Sequence, residues 1–204
     1  MTSTVEALRE ALGATSRVDR PILIPGDVLD EGEATRAESS LVEAAVLVPI
    51  VMHPRPTVLL TQRSMHMSHH AGQVAFPGGR IDPEDEDAIA AALREAREEV
   101  GLDSAKVEII GIADRYQTTS GYHITPVVGL VPPHPELALN PGEVDVAFEA
   151  PLDFLMEPVN HIEQSLEWQG RVRHYFEIMW EGHRIWGATA GMIVNLAHLL
   201  SYGR

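Results

Sequence analysis

From Ala88 to Val100 the apolar residues Ile89, Ala92, Leu93, Ala96 and Val100 recur at the spacing of a helix with one buried side. Asp82, Asp85 and Asp87 precede it as N-cap candidates, and Gly101 follows as a C-terminal stop. Most other patterned segments are strand-like. Ala44–Met52 and Thr57–Thr61 are apolar runs parted by the turn sequence His53-Pro54-Arg55-Pro56, which predicts a hairpin. Strand-like runs also cover Val107–Ile112, Ile124–Leu130 and Val144–Phe148, with a Pro-rich loop over Pro132–Pro141 and a short helix over Pro151–Leu155. Val172–Trp180 and His183–Trp186, joined by Glu181-Gly182, predict a second hairpin, and Thr189–Leu200 a closing helix. At the other end, Val5–Leu12 predicts an amphipathic helix, followed over Gly13–Ser40 by an irregular arm rich in Pro, Gly and acids. The expected architecture is α/β: a mixed β-sheet flanked by helices in a domain spanning 41–204, preceded by a helix and arm over 1–40.

Composition narrows the function classes. The 204 residues, 45% hydrophobic, suffice for one sizeable core with an appendage. The sequence has no apolar run of about 18 residues, and Met1–Leu12 carries Glu6 and Glu10 without an apolar stretch, so neither a membrane span nor a signal peptide is expected. The absence of cysteine excludes disulfides and thiolate chemistry and fits a cytoplasmic location. A formal net charge of −15 makes nucleic acid and anionic membrane poor partners. A small phosphorylated substrate remains compatible if a cation or a local Arg cluster reverses the field. All the basic residues are Arg except Lys106, and Arg suits bidentate phosphate binding.

The predicted helix carries the chemistry. Glu95, Glu98 and Glu99 sit at i, i+3 and i+4, which places three carboxylates on one face, where they repel. Arg94, four residues before Glu98, neutralises one of them. The Glu95–Glu99 pair still calls for a cation, and hard Mg2+ or Mn2+ suits such oxygens. A solvated acidic face is the alternative reading of these residues alone. Upstream, Phe76-Pro77-Gly78-Gly79-Arg80 offers glycines at which backbone can approach a ligand closely.

Gly79, the short acidic loop and Arg94-Glu95-Ala96-Arg97-Glu98-Glu99-Val100-Gly101-Leu102 together resemble the Nudix box: Gly, five residues, Glu, seven residues, then Arg-Glu-U-x-Glu-Glu-x-Gly-U, where U is a bulky aliphatic. Ala96 is small for its U position. The loop is one residue longer than the pattern: six residues part Gly79 from Glu86, or, with Asp85 at the Glu position, eight separate it from Arg94. Leu59-Leu60-Thr61-Gln62-Arg63-Ser64, Gly72 and Phe76-Pro77-Gly78-Gly79 resemble the signature of the coenzyme A pyrophosphatase branch, with Ser68 where that branch has Arg. Tyr122–Pro126 and the C-terminal hairpin and helix are similar to that branch as well.

The resemblance implies a Nudix α/β/α sandwich and divalent-metal-dependent hydrolysis of coenzyme A to 3′-phospho-AMP and 4′-phosphopantetheine. A Nudix hydrolase of ADP-ribose or another nucleoside diphosphate derivative is the alternative, and a non-catalytic Nudix-like binding module a more distant one. Carried over by residue, Glu95 and Glu99 would be the principal ligands of Mg2+ or Mn2+, with Glu98 and the Gly78 carbonyl assisting. Arg94 would orient the glutamates, and Glu98, Arg94 and Glu143 form the candidate catalytic set. Arg63, Ser64, Gly79, Arg80 and Thr119 are the candidate substrate contacts, with Arg63 able to read the 3′-phosphate. The expected partner is this small molecule, not nucleic acid or membrane, and a homodimer is compatible with the resemblance.

Other residues carry less. His66, His69 and His70 cluster without the spacing of a zinc motif, which leaves phosphate or ribose contact or plain loop residues. For the loop Thr118-Thr119-Ser120-Gly121-Tyr122 the resemblance implies a lining of the substrate cleft, with a plain turn as the alternative. Trp168, Trp180 and Trp186 are read as core or dimer contacts. Glu149, like Glu143, is an extra acid or an ordinary loop or strand carboxylate. No Walker loop is present, because Gly78-Gly79-Arg80 lacks the Gly-Lys-Ser/Thr ending.

Overall fold

A computed structural model describes residues 3–13, 22–24, 26, 41–67, 70–168 and 171–202. At the centre of the fold is β1 (Val42–Val51), buried from Ala44 onward. It runs parallel to β7 (Tyr122–Val131), in register from Val42 opposite Tyr122 to Val51 opposite Val131. Both strands are near-continuous apolar runs because the sheet is covered on both faces. β2 (Thr57–Arg63) pairs antiparallel with β1 only at Thr57 and Val58, then diverges. Two short strands occupy the opening, β3 (Val74–Ala75) against β2 and β4 (Gly78–Arg80) against β1. β5 (Glu108–Ile112) and β6 (Tyr116–Gln117) extend the sheet beyond β7, and β8 (Val144–Pro151) lies on the outer edge of β2. This makes a mixed eight-stranded sheet.

Alternation along the strands divides the interior in two. On one face Ala45, Leu47, Val51, Leu59, Val127 and Val131 meet Ala91, Ala92, Ala96 and Val100 of α2 (Ala88–Val100). On the other, Val46, Val48, Ile50, Val58 and Leu60 meet α1 (Thr4–Gly13), α3 (Leu152–Met156) and α4 (Ala188–Tyr202). The α/β sandwich expected from the sequence is therefore present. A separate antiparallel sheet of β9 (Ile162–Trp168), β10 (Arg171–Trp180) and β11 (His183–Trp186) docks on the α4 side through Ile178 and Ile185. α1 presents Val5, Leu8 and Leu12 to the same core. No helix among the described residues is long and apolar enough to cross a membrane.

Several expectations change. β9 was absent from the pattern because Gln164 interrupts the alternation of Ile162, Leu166 and Trp168. β8 continues past Phe148 because Ala150 and Pro151 still pair with Val58 and Thr57. On α2, Leu93 is only half-buried, and Ala91 takes the buried position instead. The arm expected over Gly13–Ser40 lies largely outside the described residues, as do Ser68 and His69. Of Trp168, the side chain lies outside them too.

Candidate metal and substrate site

The site is assembled around α2, whose ends are set locally. The Asp87 side chain accepts the Ala90 amide at 2.8 Å, and Gly101, at φ 70°, donates back to the Ala96 and Arg97 carbonyls. Arg94 then ties the helix to the preceding loop. Its Nε donates to Asp85 Oδ1 at 3.0 Å and its Nη2 to Asp85 Oδ2 at 2.9 Å. Nη1 reaches Glu95 Oε1 at 2.9 Å and Glu98 Oε2 at 3.0 Å, and Nη2 also reaches the Arg80 carbonyl at 3.0 Å. One guanidinium uses its rigid fork to hold three acids and a carbonyl. The Asp85 side chain is only 6% exposed and its carboxyl is held below the ordinary carboxylate range by Arg94. Glu86 is exposed. Of the two alignments open in the sequence, Asp85 is the one whose side chain meets Arg94.

The three glutamates differ in environment. Glu98 is half-exposed, Glu95 is mostly covered, and Glu99 is buried at 3%. Burial pushes the Glu99 carboxyl up to about 7 against the opposing pull of Arg63, with Glu95 and Glu143 adding to the rise. Burial also raises Glu95, opposed by Arg94 and reinforced by Glu98 and Glu143. Glu99 has limited compensation: Arg63 Nη1 lies at 3.8 Å, and the Gly78 amide donates a hydrogen bond to it. The Nε of Arg63 is buried with no hydrogen-bond partner among the described residues. Carboxylates that raise one another's proton affinity in a desolvated pocket form a seat for positive charge.

Glycine at 78 and 79 answers to close approach. A Cβ on Gly79 would lie 2.6 Å from the Glu95 carboxyl carbon, and one on Gly78 would lie 2.6 Å from the Val46 Cα. Glu143 is brought to the site by Asn140, a residue the sequence pattern did not single out. The Asn140 backbone amide donates to the Glu99 carbonyl at 2.9 Å and its side-chain amide to Glu143 Oε1 at 3.2 Å. Its available signal was the turn sequence Asn140-Pro141-Gly142.

The remaining candidates lie around this centre. Arg80 is exposed on β4 and donates to the Tyr122 hydroxyl at 3.2 Å. Thr119 is half-buried in the loop between β6 and β7. Ser64 is fully buried, and its hydroxyl engages Asp145 and accepts the His66 amide at 3.4 Å. His70 is turned to Gln73. Glu149 sits away from the acids of α2, bonded to His53 Nε2 at 2.9 Å and to the Thr57 hydroxyl. Trp180 packs on Phe154 beside the core, whereas Trp186 lies under the Arg184 guanidinium, 5.0 Å from its ring centroid. A cavity of about 380 Å³ opens between Gln62, Gln73, His183, Arg184 and Trp186, beside β3.

The NUDIX domain family matches residues 42–170 of this chain. The Uncharacterized Nudix hydrolase NudL of Escherichia coli K12 is 44% identical over 155 residues, covering 76% of this chain and 81% of its own. Solved structures with a similar course include a C. elegans Ap4A hydrolase binary complex (TM-score 0.47, 21% identity, 54% of this chain and 80% of that one). The NUDIX domain of Shewanella oneidensis NrtR complexed with ADP ribose is another (TM-score 0.43, 22% identity, 55% and 74%). The chain belongs to the Nudix family. Within that class it is a pyrophosphohydrolase, an enzyme of a family that works with divalent metal ions.

Proposed function

We propose that this enzyme hydrolyses the pyrophosphate linkage of coenzyme A, giving 3′-phospho-AMP and 4′-phosphopantetheine. The observation that carries the proposal is convergence. The segments resembling the coenzyme A branch are the ones that wall the acidic pocket: β2 supplies Arg63 against Glu99, and β4 supplies Gly78 and Gly79 against Glu99 and Glu95.

The donor set fits a hard divalent ion. All its side-chain ligands are carboxylates, and burial and mutual repulsion already favour added positive charge there. Glu95 and Glu99 would hold Mg2+ or Mn2+, with Glu98 and the Gly78 carbonyl assisting. Among the described residues no three acidic or imidazole side chains form a ready cage. Water and substrate oxygens would therefore supply much of the shell. The bound ion would neutralise pyrophosphate oxygens and acidify a water.

The chain's own residues do the rest. Arg63 and Arg80 would meet phosphate oxygens, and Gly79 would let the substrate come close to backbone. Thr119 borders the substrate from the loop after β6, while Ser64 acts through the backbone it fastens. Arg94 keeps Glu95 and Glu98 oriented. Glu98 and Glu143 would take the proton of the attacking water. Its oxygen bonds to phosphorus, the bridging P–O bond breaks, and the second phosphate leaves.

The test is a turnover screen of coenzyme A, 3′-dephospho-coenzyme A, ADP-ribose and NADH with Mg2+ or Mn2+, with products identified by mass. Coenzyme A is expected to have the highest kcat/KM. Cleavage of ADP-ribose without cleavage of coenzyme A overturns the substrate and leaves the Nudix chemistry standing.

A further inference from the structure

We infer that Asn195 and Gly26 are positioning residues for the substrate loop Thr118–Tyr122: Asn195 fastens Ile24 to α4, and Gly26 seats against the end of β6. This rests on the reading above, in which that loop borders the substrate.

Asn195 lies on α4 and is 2% exposed. Its Oδ1 accepts the Ile24 amide at 3.0 Å and its Nδ2 donates to the Ile24 carbonyl at 2.8 Å. One carboxamide thus treats Ile24 as a neighbouring strand would. A buried carboxamide is costly unless its hydrogen bonds are made, and Ile24 supplies one to each of its polar atoms. Two residues on, Gly26 forms a parallel bridge with Gln117, the last residue of β6. The approach is so close that a Cβ on Gly26 would run into the Gln117 carbonyl. Gln117 is also paired with His123 of β7, so it is held from both sides.

The loop that follows is closed on itself. Thr118 donates its amide to the Tyr122 carbonyl at 2.8 Å, and its hydroxyl accepts the Tyr122 amide at 3.0 Å. Val42 of β1 donates to the Gly121 carbonyl at 2.9 Å. Tyr122 then accepts from Arg80, whose carbonyl accepts from Arg94. Contacts therefore link Asn195 to Ile24, Gly26 to Gln117, and the loop through Tyr122 and Arg80 to the arginine that orders the acidic helix.

Packing alone does not fix this segment. Ile22 and Leu23 are exposed, and Ile24 and Gly26 border a cavity of about 250 Å³ shared with Tyr116, Tyr175 and Phe176. Ile24 is the buried apolar anchor, and the directional bonds set the register. That register decides where Gln117 stands and so where the loop begins. Contacts that a loop makes equally to bound substrate and transition state show, when lost, as a higher KM with kcat unchanged.

The experiment uses the full chain with two separate variants, Asn195→Leu and Gly26→Ala, so that a folding failure in one leaves the other decisive. Amide hydrogen exchange is followed over 117–122 and over 88–100 without substrate, and KM and kcat are measured on the best substrate of the screen. The expected result is at least roughly tenfold faster exchange over 117–122 with 88–100 unchanged. KM should rise roughly five- to twentyfold with kcat within about twofold, and the Mg2+-induced rise in Tm should be preserved. Unchanged loop exchange in a folded variant overturns the inference, as does faster exchange with an unchanged KM or a fall confined to kcat. If wild type cleaves ADP-ribose but not coenzyme A, the substrate reading fails, and the same exchange and KM criteria on ADP-ribose still decide the clamp.

Discussion

Arg94 grips Asp85 through two near-parallel contacts, Nε to Oδ1 at 3.0 Å and Nη2 to Oδ2 at 2.9 Å. Of the two loop acids, Asp85 is the one held to the helix, while Glu86 is exposed. The Asp85 carboxyl is held low, so its stabilisation is in place above the ordinary carboxylate range and is lost as pH falls through the lowered value. Asp85→Asn is predicted to cost roughly 1 to 3 kcal/mol at pH 7 and to flatten the acid limb of the stability profile. Glu86→Gln should do neither. Urea melts from pH 3 to 7 check this, and equal effects at the two positions would reassign the pair.

Glu99 gives the opposite sign. Its folded value, about 7, lies above the ordinary carboxylate range, so the metal-free fold prefers the proton. Stability should be highest near pH 5 and decline as pH rises through 7, and Mg2+ should restore it. Glu99→Gln should remove both the decline and the Mg2+-dependent gain and lower turnover roughly a hundredfold or more. The measurements are Tm against pH with chelator and with Mg2+, alongside steady-state rates. A Glu99→Gln protein still stabilised by Mg2+ would show that the ion sits elsewhere.

The paired glycines should behave differently. On Gly79 a Cβ meets the carboxyl end of Glu95, whereas on Gly78 it meets the backbone of β1 at Ala45 and Val46. Gly79→Ala is expected to reduce turnover roughly tenfold or more while costing less than about 1 kcal/mol, because a side chain can yield. Gly78→Ala should cost roughly 1 to 3 kcal/mol because backbone must move. Thermal melts beside Mg2+-dependent rates separate the two, and the reverse order would disprove the assignment.

Arg63 Nη1 is seated 3.8 Å from Glu99, beside the acids of the helix. Arg63→Ala should therefore lower kcat/KM for coenzyme A and for 3′-dephospho-coenzyme A by the same factor. That factor should be roughly tenfold, the worth of one charge-assisted contact. A selective loss on coenzyme A would instead make Arg63 the reader of the 3′-phosphate.

How much was legible in the sequence depends on how local each cause is. The helix Ala88–Val100 is found at its predicted bounds because period, cap and stop all lie within it or beside it. The spacing of Glu95, Glu98 and Glu99 put them on one side of the helix but did not reveal that Glu99 is buried and Glu98 half-exposed. That depends on where the sheet meets the helix. Asp85 and Glu86 were indistinguishable until the reach of Arg94 chose between them. The short strands β3, β4 and β6 are too brief to carry a period. Asn140 and Asn195 have no local pattern that names their partners, since one bridges a turn to the helix and the other reaches a residue 171 positions away. Trp186 lies outside the core, with Arg184 on the face of the three-stranded sheet opposite Ile185.

Ala45, Ala91, Ala92 and Ala96, none more than 1% exposed, seat the acidic helix directly on the sheet. On α2, alanine is the smallest residue that still favours a helix, so Ala91, Ala92 and Ala96 can shrink only to glycine, which weakens the helix by about 1 kcal/mol. Any larger side chain would lift the helix, and with it the height of Glu95 above Gly79. Descendants of this sequence can therefore explore new substrates cheaply through their loops, while the alanine seam stays closed to gradual drift. Constancy in how the acids are presented is, on this face, held by four methyl groups.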